Sequence, residues 1–244
     1  MKTIGLLLML LWASSALAAG APVSYTVKGE TFEGYYVSPG AKAPLILLVH
    51  DWDGLTDYEI KRSQMLAGMG YAVFAVDLFG KGIRPSALEE KKQRTGALYQ
   101  DRERMRALLQ GGLAAAKAQG GNVDNAVAIG YCFGGAAILE LARSGADLKG
   151  FVAFHGGLET PAGQDYSQTK GKLLILHGTA DTAVTMEHFA ALAVELEKAG
   201  INHEMITYSG APHAFTVFGS DRYRKDADEK SWRRFGEFLS ETLQ

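Results

Sequence analysis

The sequence predicts an α/β fold with a mostly parallel central sheet flanked by helices on both faces. Three observations carry this prediction. Short apolar runs at residues 45–50, 72–76, 126–130, 151–155 and 173–177 have the length and composition of strands buried on both faces. Segments whose apolar residues recur every three or four positions separate them. Strand and helix alternate along the chain, and right-handed crossovers of this kind lay each new strand parallel to the last with helices above and below.

Each element follows from its local pattern. Residues 25–37 alternate apolar and polar side chains around Lys28-Gly29-Glu30, which predicts an antiparallel ribbon at the start. The strand at 45–50 leads to a helix over 57–69, and the strand at 72–76 to a helix over 95–118. The run at 126–130 enters a helix over 135–144, and the strands at 151–155 and 173–177 come next. A helix over 186–199 stops at Gly200, the residue type that best takes the left-handed position after a helix. Residues 201–208 read as the last strand and 225–243 as the closing helix. The charge-rich stretch 89–106 mixes both signs over periodic apolar positions, the pattern of a solvated helix face rather than of a nucleic-acid patch.

The chain has 244 residues, 47% hydrophobic and 21% charged, enough to bury one substantial core. A single catalytic domain over 19–244 is therefore expected, with no repeat or linker to divide it. Residues 1–18 read as a signal peptide: Lys2 gives a positive start, 4–12 is almost wholly apolar, and Ala16-Leu17-Ala18 is a small-x-small cleavage site. An uncleaved anchor is the alternative, but the apolar run is short for a membrane span. The expectation is an exported protein, periplasmic or secreted, with no membrane span in the mature chain. The formal charge of −2, with both signs interspersed, removes the footprint of a protein that binds nucleic acid through phosphates. A small-molecule partner and a monomeric chain are expected. Cys132 is the only cysteine, so no internal disulfide can form and the thiol needs a reason of its own.

That reason lies in Gly130-Tyr131-Cys132-Phe133-Gly134-Gly135, set between a β-branched run and a helix. A nucleophile at the tip of a sharp strand-to-helix turn needs flanking glycines, because side chains there would collide with neighbouring backbone. The turn also aims the thiol at the positive end of the helix, which favours thiolate. A small buried cysteine is the bland alternative. A phosphate loop would need a Gly-Lys-Ser/Thr ending or Gly-x-Gly-x-x-Gly spacing, and neither is present. A cysteine nucleophile needs a base, and the base needs a carboxylate. Asp181 follows the run at 173–177 in His177-Gly178-Thr179-Ala180-Asp181, and His213 follows the last strand in Pro212-His213-Ala214-Phe215. The order nucleophile, acid, histidine is that of the α/β-hydrolase fold, with all three at the sheet edge where open α/β folds bind ligands.

On these motifs the chain resembles the dienelactone hydrolase family over essentially its whole mature length, a cysteine in the elbow being characteristic of that family. The resemblance implies hydrolysis of lactones and small carboxylic esters with no metal or organic cofactor. It implies that Val49-His50-Asp51-Trp52-Asp53-Gly54 forms the loop that brings an acid beside the thiol, here Asp51 where the family usually has glutamate. The backbone amides of Trp52 and Phe133 would then form the oxyanion hole. In the founding members two arginines hold a substrate carboxylate, and the matching positions here look like Lys81 and Val217, with Arg84 able to compensate. One cation is thus kept as a point charge and one lost, which leaves the charge of the substrate open. Two other readings remain. His50, His155 and His177 at strand ends, with Asp51 and Asp53, could bind a metal, although no compact ligand spacing supports it. The fold could also serve a catalytically silent protein that captures small ligands.

Overall fold

An antiparallel ribbon, β1 (Ala21–Val27) and β2 (Glu30–Val37), begins the computed structural model, which describes residues 19–243. The expected signal peptide over 1–18 lies outside the described residues. Lys28 and Gly29 join the two strands with φ of 49° and 83°. Two consecutive left-handed residues make the primed turn whose twist matches a tight hairpin, and glycine takes the second position without strain.

The remaining elements run β3 (Pro44–Val49), α1 (Asp57–Gly68), β4 (Ala72–Val76), α2 (Leu88–Gln100), α3 (Arg102–Ala118), β5 (Asn122–Tyr131), α4 (Phe133–Arg143), β6 (Gly150–Phe154), β7 (Lys172–Gly178), α5 (Met186–Ala199), β8 (His203–Tyr208) and α6 (Lys225–Thr242). They build one eight-stranded sheet in the order β1-β2-β4-β3-β5-β6-β7-β8. Pairing is antiparallel at β1·β2 and β2·β4 and parallel from β4 through β8. This is the α/β-hydrolase fold.

The apolar runs are continuous because the sheet is covered twice. Leu45, Leu47 and Val49 face the layer that contains Leu109 of α3, Ala137 of α4 and Leu192 of α5. Ile46 and Leu48 face the layer that contains Leu66 of α1 and Phe235 and Leu239 of α6. The chain leaves β3 to one side to make β4 and returns to the other to make β5, so β3 and β5 flank a topological switch point, with Val49 opposite Gly130. The loop after β3 and the turn after β5 therefore meet at one edge.

One expected element is two. The helix predicted over 95–118 breaks at Asp101, whose φ of −112° and ψ of 80° are not helical and whose side chain caps α3 by accepting from the Arg104 N–H at 2.9 Å. α2 also starts at Leu88 rather than Thr95. At α1, Thr56 and Glu59 form a capping box. Among the described residues no helix is long and apolar enough to cross a membrane.

Candidate active site

The turn from β5 into α4 holds Cys132 at φ 52° and ψ −112°, a conformation that strains a non-glycine residue. Two glycines make the turn feasible. A Cβ on Gly130 would fall 2.1 Å from the Gly134 carbonyl oxygen, and one on Gly134 would fall 2.3 Å from that of Val49. The Cys132 N–H donates to Phe154 O at 3.1 Å, which ties the tip to β6. Cys132 stands at the N-cap position of α4, so its sulfur feels the positive end of that helix.

His213 arrives on the loop after β8, with Nε2 3.0 Å from Cys132 Sγ and Nδ1 2.7 Å from Asp181 Oδ2. Asp181 lies on the loop after β7, and its Oδ1 accepts from the Ala183 and Val184 N–H groups, both at 2.9 Å. Burial alone would lower the His213 pKa; the bonds to Asp181 and Cys132 outweigh it and push the imidazole up to about 10. Burial would raise Asp181, but the His213 bond and the two amides hold it below the usual carboxylate range. Such a chain can move a proton from sulfur to an imidazole whose other nitrogen is fixed. Behind it, the buried ring of His155 meets that of His213 edge-on at 5.4 Å, with Nε2 2.8 Å from Thr216 Oγ1. The same hydroxyl contacts Tyr58 at 2.7 Å, and Arg62 donates to the Thr216 carbonyl at 2.9 Å and to Asp228 at 2.5 Å.

A cleft of about 340 Å³ opens over the sulfur, its lining including Asp51, Trp52, Tyr99, Phe133, Val184 and His213. A larger groove of about 510 Å³ near Lys117, Asp124 and Lys149 lies at the opposite end of β5 and β6, and its lining includes no cysteine, serine or histidine. Asp51 Oδ1 accepts from the Asp53 N–H at 2.8 Å within its own loop. Burial raises the Asp51 carboxyl to about 6, against the bond from Asp53 and the attraction of Lys91 and His213.

The expected cations are elsewhere. Lys81 is paired with Glu33 at 2.9 Å and donates to Ser24 Oγ at 3.0 Å, so the β1–β2 ribbon holds it away from the cleft. Arg84 donates to the Ile83 carbonyl at 2.7 Å and stands 3.9 Å from Asp77, and it does not line the cleft either. Neither does Val217, whose N–H donates to Ala214 O. The arginine at the cleft is Arg222, exposed on the segment before α6. It belongs to no motif and no periodic segment, so sequence spacing gives no signal for it. Thr95 and Tyr99 enter the cleft from α2, and the charged composition of that helix conceals them in the sequence.

The strand-end histidines do not converge. His50 contacts Asp51 O and the Leu78 N–H, His155 contacts Thr216, and His177 Nε2 lies 2.9 Å from Val184 O. Among the described residues no three His, Cys, Asp or Glu side chains are grouped where they could hold a metal ion.

A model of the dienelactone hydrolase family matches residues 32–243. The solved structure named m3DLH is 31% identical and superposes with a TM-score of 0.88, covering 94% of this chain and 100% of that one. A dienelactone hydrolase-like promiscuous phosphotriesterase from metagenomic libraries is 29% identical with a TM-score of 0.87, again over 94% and 100%. A Salmonella typhimurium protein provisionally named carboxymethylenebutenolidase is 23% identical over 239 residues, 93% of this chain and 88% of that protein.

Proposed function

The chain belongs to the dienelactone hydrolase family, and from that premise we propose that it hydrolyses small carboxylic esters or lactones through a Cys132-His213-Asp181 triad. The observation that carries the reading is the unbroken contact chain from Sγ to Nε2 at 3.0 Å and from Nδ1 to the Asp181 carboxylate at 2.7 Å, at the tip of a glycine-flanked turn. His213 takes the thiol proton and the sulfur adds to the substrate carbonyl carbon. The carbonyl oxygen becomes negative and is received by the Trp52 and Phe133 amides. The imidazolium returns the proton to the departing alkoxide, which leaves an acyl-thioester on Cys132. Water then gives a proton to His213, adds to the thioester carbonyl, and the acid is released as the sulfur is reprotonated. Asp181 keeps the His213 proton on Nδ1 in both halves. Asp51, anionic above about pH 6, favours the imidazolium from the same cleft.

No cofactor enters this scheme. Turnover of p-nitrophenyl acetate and of a neutral lactone should disappear in a folded Cys132→Ala variant and persist in excess chelator. Full turnover without the sulfur would end the thioester mechanism, and inactivity of the parent on every ester and lactone would favour the silent ligand-binding alternative. The cleft is largely aromatic and aliphatic with Arg222 as its cation, so comparing carboxylated with neutral lactones, with Arg222→Gln as control, reads the substrate's charge. The chain is further proposed to be exported by residues 1–18 and to act as a monomer. A mature N-terminus near Ala19 and a monomeric mass in sedimentation are the corresponding observations.

A further inference from the structure

The geometry points to His50 as the residue that sets the Asp51–Trp52 peptide plane, and thereby turns the Trp52 N–H toward the oxygen of the reacting carbonyl. This inference rests on the reading above, in which Cys132 is acylated and the Trp52 and Phe133 amides receive the oxyanion. The two donors are not held equally well. The Phe133 N–H is the first amide of α4, and the helix fixes it. The Trp52 N–H belongs to a loop peptide with no strand partner, which could face either way.

The carbonyl of that peptide is held by two donors. His50 Nδ1 lies 2.6 Å from Asp51 O, and the Gly54 N–H donates to the same oxygen at 3.4 Å. The peptide is trans and planar, so an oxygen held on the His50 side leaves the Trp52 N–H on the opposite side. A peptide turned over would present its carbonyl oxygen where a donor is needed, and two oxygens carrying negative charge would repel across the site.

His50 can do this because both its nitrogens are committed. Nε2 accepts the Leu78 N–H at 3.1 Å from the segment after β4, and the ring lies fully buried against Phe79 at 4.6 Å and Phe133 at 6.1 Å between centroids. A carbonyl oxygen only accepts and an N–H only donates, so a single tautomer satisfies both contacts: Nδ1 protonated, Nε2 bare. Burial lowers the pKa of the ring and keeps it in that neutral form. The loop is thereby braced against the segment that follows β4, the strand beside β3, rather than against anything in the cleft. His50 touches no substrate and acts as a positioning residue.

Glutamine and methionine at this position are close in size, but only glutamine can donate to Asp51 O. Acylation of Cys132 by p-nitrophenyl acetate and alkylation of Cys132 by iodoacetamide should therefore be timed in parallel for the parent, His50→Gln and His50→Met. Alkylation at a saturated carbon forms no oxyanion, so it reports the thiol and imidazole alone. In His50→Met, acylation should fall about 100-fold, in line with the loss of one oxyanion donor, with KM nearly unchanged. His50→Gln should recover most of that loss, and alkylation should stay within about threefold throughout, since the donor acts only on the oxyanion. Equal acylation rates in the methionine and glutamine variants would overturn the proposal, as would alkylation falling in step with acylation. Should His50→Met not fold, nitrogen-15 spectra of the parent's histidines decide: a proton on His50 Nε2 overturns the proposal, and one on Nδ1 supports it. Cys132→Ala runs alongside. If it turns over normally, the thioester reading fails and this inference with it; if it is inactive while the two His50 variants acylate alike, only the inference fails.

Discussion

Replacing Asp181 by asparagine tests how the triad histidine is held, because the surroundings dictate which way the new amide must face. Oδ1 of Asp181 accepts two backbone N–H bonds, from Ala183 and Val184, and Oδ2 meets His213 Nδ1. Asparagine keeps its oxygen on the two amides, since turning over would set its NH2 against two donors and forfeit two bonds worth about 1 kcal/mol each. Its NH2 then faces His213 Nδ1, which must accept, and the ring proton moves to Nε2, where it points at the sulfur. A preference of about 2–3 kcal/mol leaves the productive tautomer as roughly one part in 30 to 150. That fraction also lacks the charge-assisted bond to the carboxylate, worth about 1.5–3 kcal/mol once the imidazolium forms. The combined loss in kcat/KM is roughly 400-fold to 2 × 10⁴-fold, a range that spans the roughly 10⁴-fold cost of the same change in a serine protease triad. Steady-state hydrolysis of p-nitrophenyl acetate measures it, with a melting curve to show that the fold is intact. The same variant should bring the His213 titration down from about 10, because the bond from Asp181 is the largest influence raising it. A loss under about tenfold in a folded variant would refute the idea that Asp181 sets the tautomer.

Three further changes probe stability. Burial, and secondly the charge of Asp51, raise the Glu59 carboxyl to about 8. The unfolded chain releases this proton in the ordinary carboxylate range, so the stability present at low pH is lost as pH rises toward 8. Glu59→Gln stays neutral and should gain on the parent by about 1.4 kcal/mol per pH unit across that window, measured by urea unfolding; a gap independent of pH would contradict it. Asp228→Asn strands the Arg62 charge, whose side chain is 1% exposed, and should cost about 3–5 kcal/mol. Burial outweighs the pull of Arg62 and raises the Asp228 carboxyl, so replacing both residues by apolar ones should restore much of that loss, and a single variant as stable as the parent would argue against a buried pair. Gly134→Ala puts a Cβ 2.3 Å from a backbone oxygen that cannot yield, so soluble protein melting near the parent temperature would disprove the tight turn.

The apolar runs of the central strands β3 to β7 were legible because burial on both faces leaves no polar alternation to misread: 45–49 feed two apolar layers in turn. The break at Asp101 was not, because Leu98 and Met105 lie two helical turns apart on the same apolar layer and the period runs straight through the gap. The cap that divides them, the Asp101 carboxylate accepting from the Arg104 N–H, sits inside that unbroken period. The first turns of α2 fall within the charge-rich stretch 89–106 that reads as a solvated helix face, and Glu89 and Lys92 are exposed there; only the helix start differs, Leu88 rather than Thr95.

The site divides along a similar line. Cys132, Asp181 and His213 each follow a strand, and parallel registers such as Val49 with Gly130 and Gly178 with Tyr208 carry the ends of distant segments to one edge. Order along the chain therefore translates into neighbourhood in space. Lys81 and Arg84 also follow a strand, β4, but Glu33 holds the first and the Ile83 carbonyl the second, while Arg222 enters from a segment outside the alternation. Peptide orientation is a step further from the sequence. Val49-His50-Asp51-Trp52 could thread the same loop with the Asp51–Trp52 peptide either way up, and what separates the two is mainly an imidazole that holds Asp51 O at 2.6 Å, with the Gly54 N–H at 3.4 Å beside it, and accepts the N–H of Leu78, a residue 28 positions away. A histidine at a strand end is visible in the sequence as a group in need of partners; which peptide it turns depends on the loop beside β4, and that neighbour exists only once the sheet has formed.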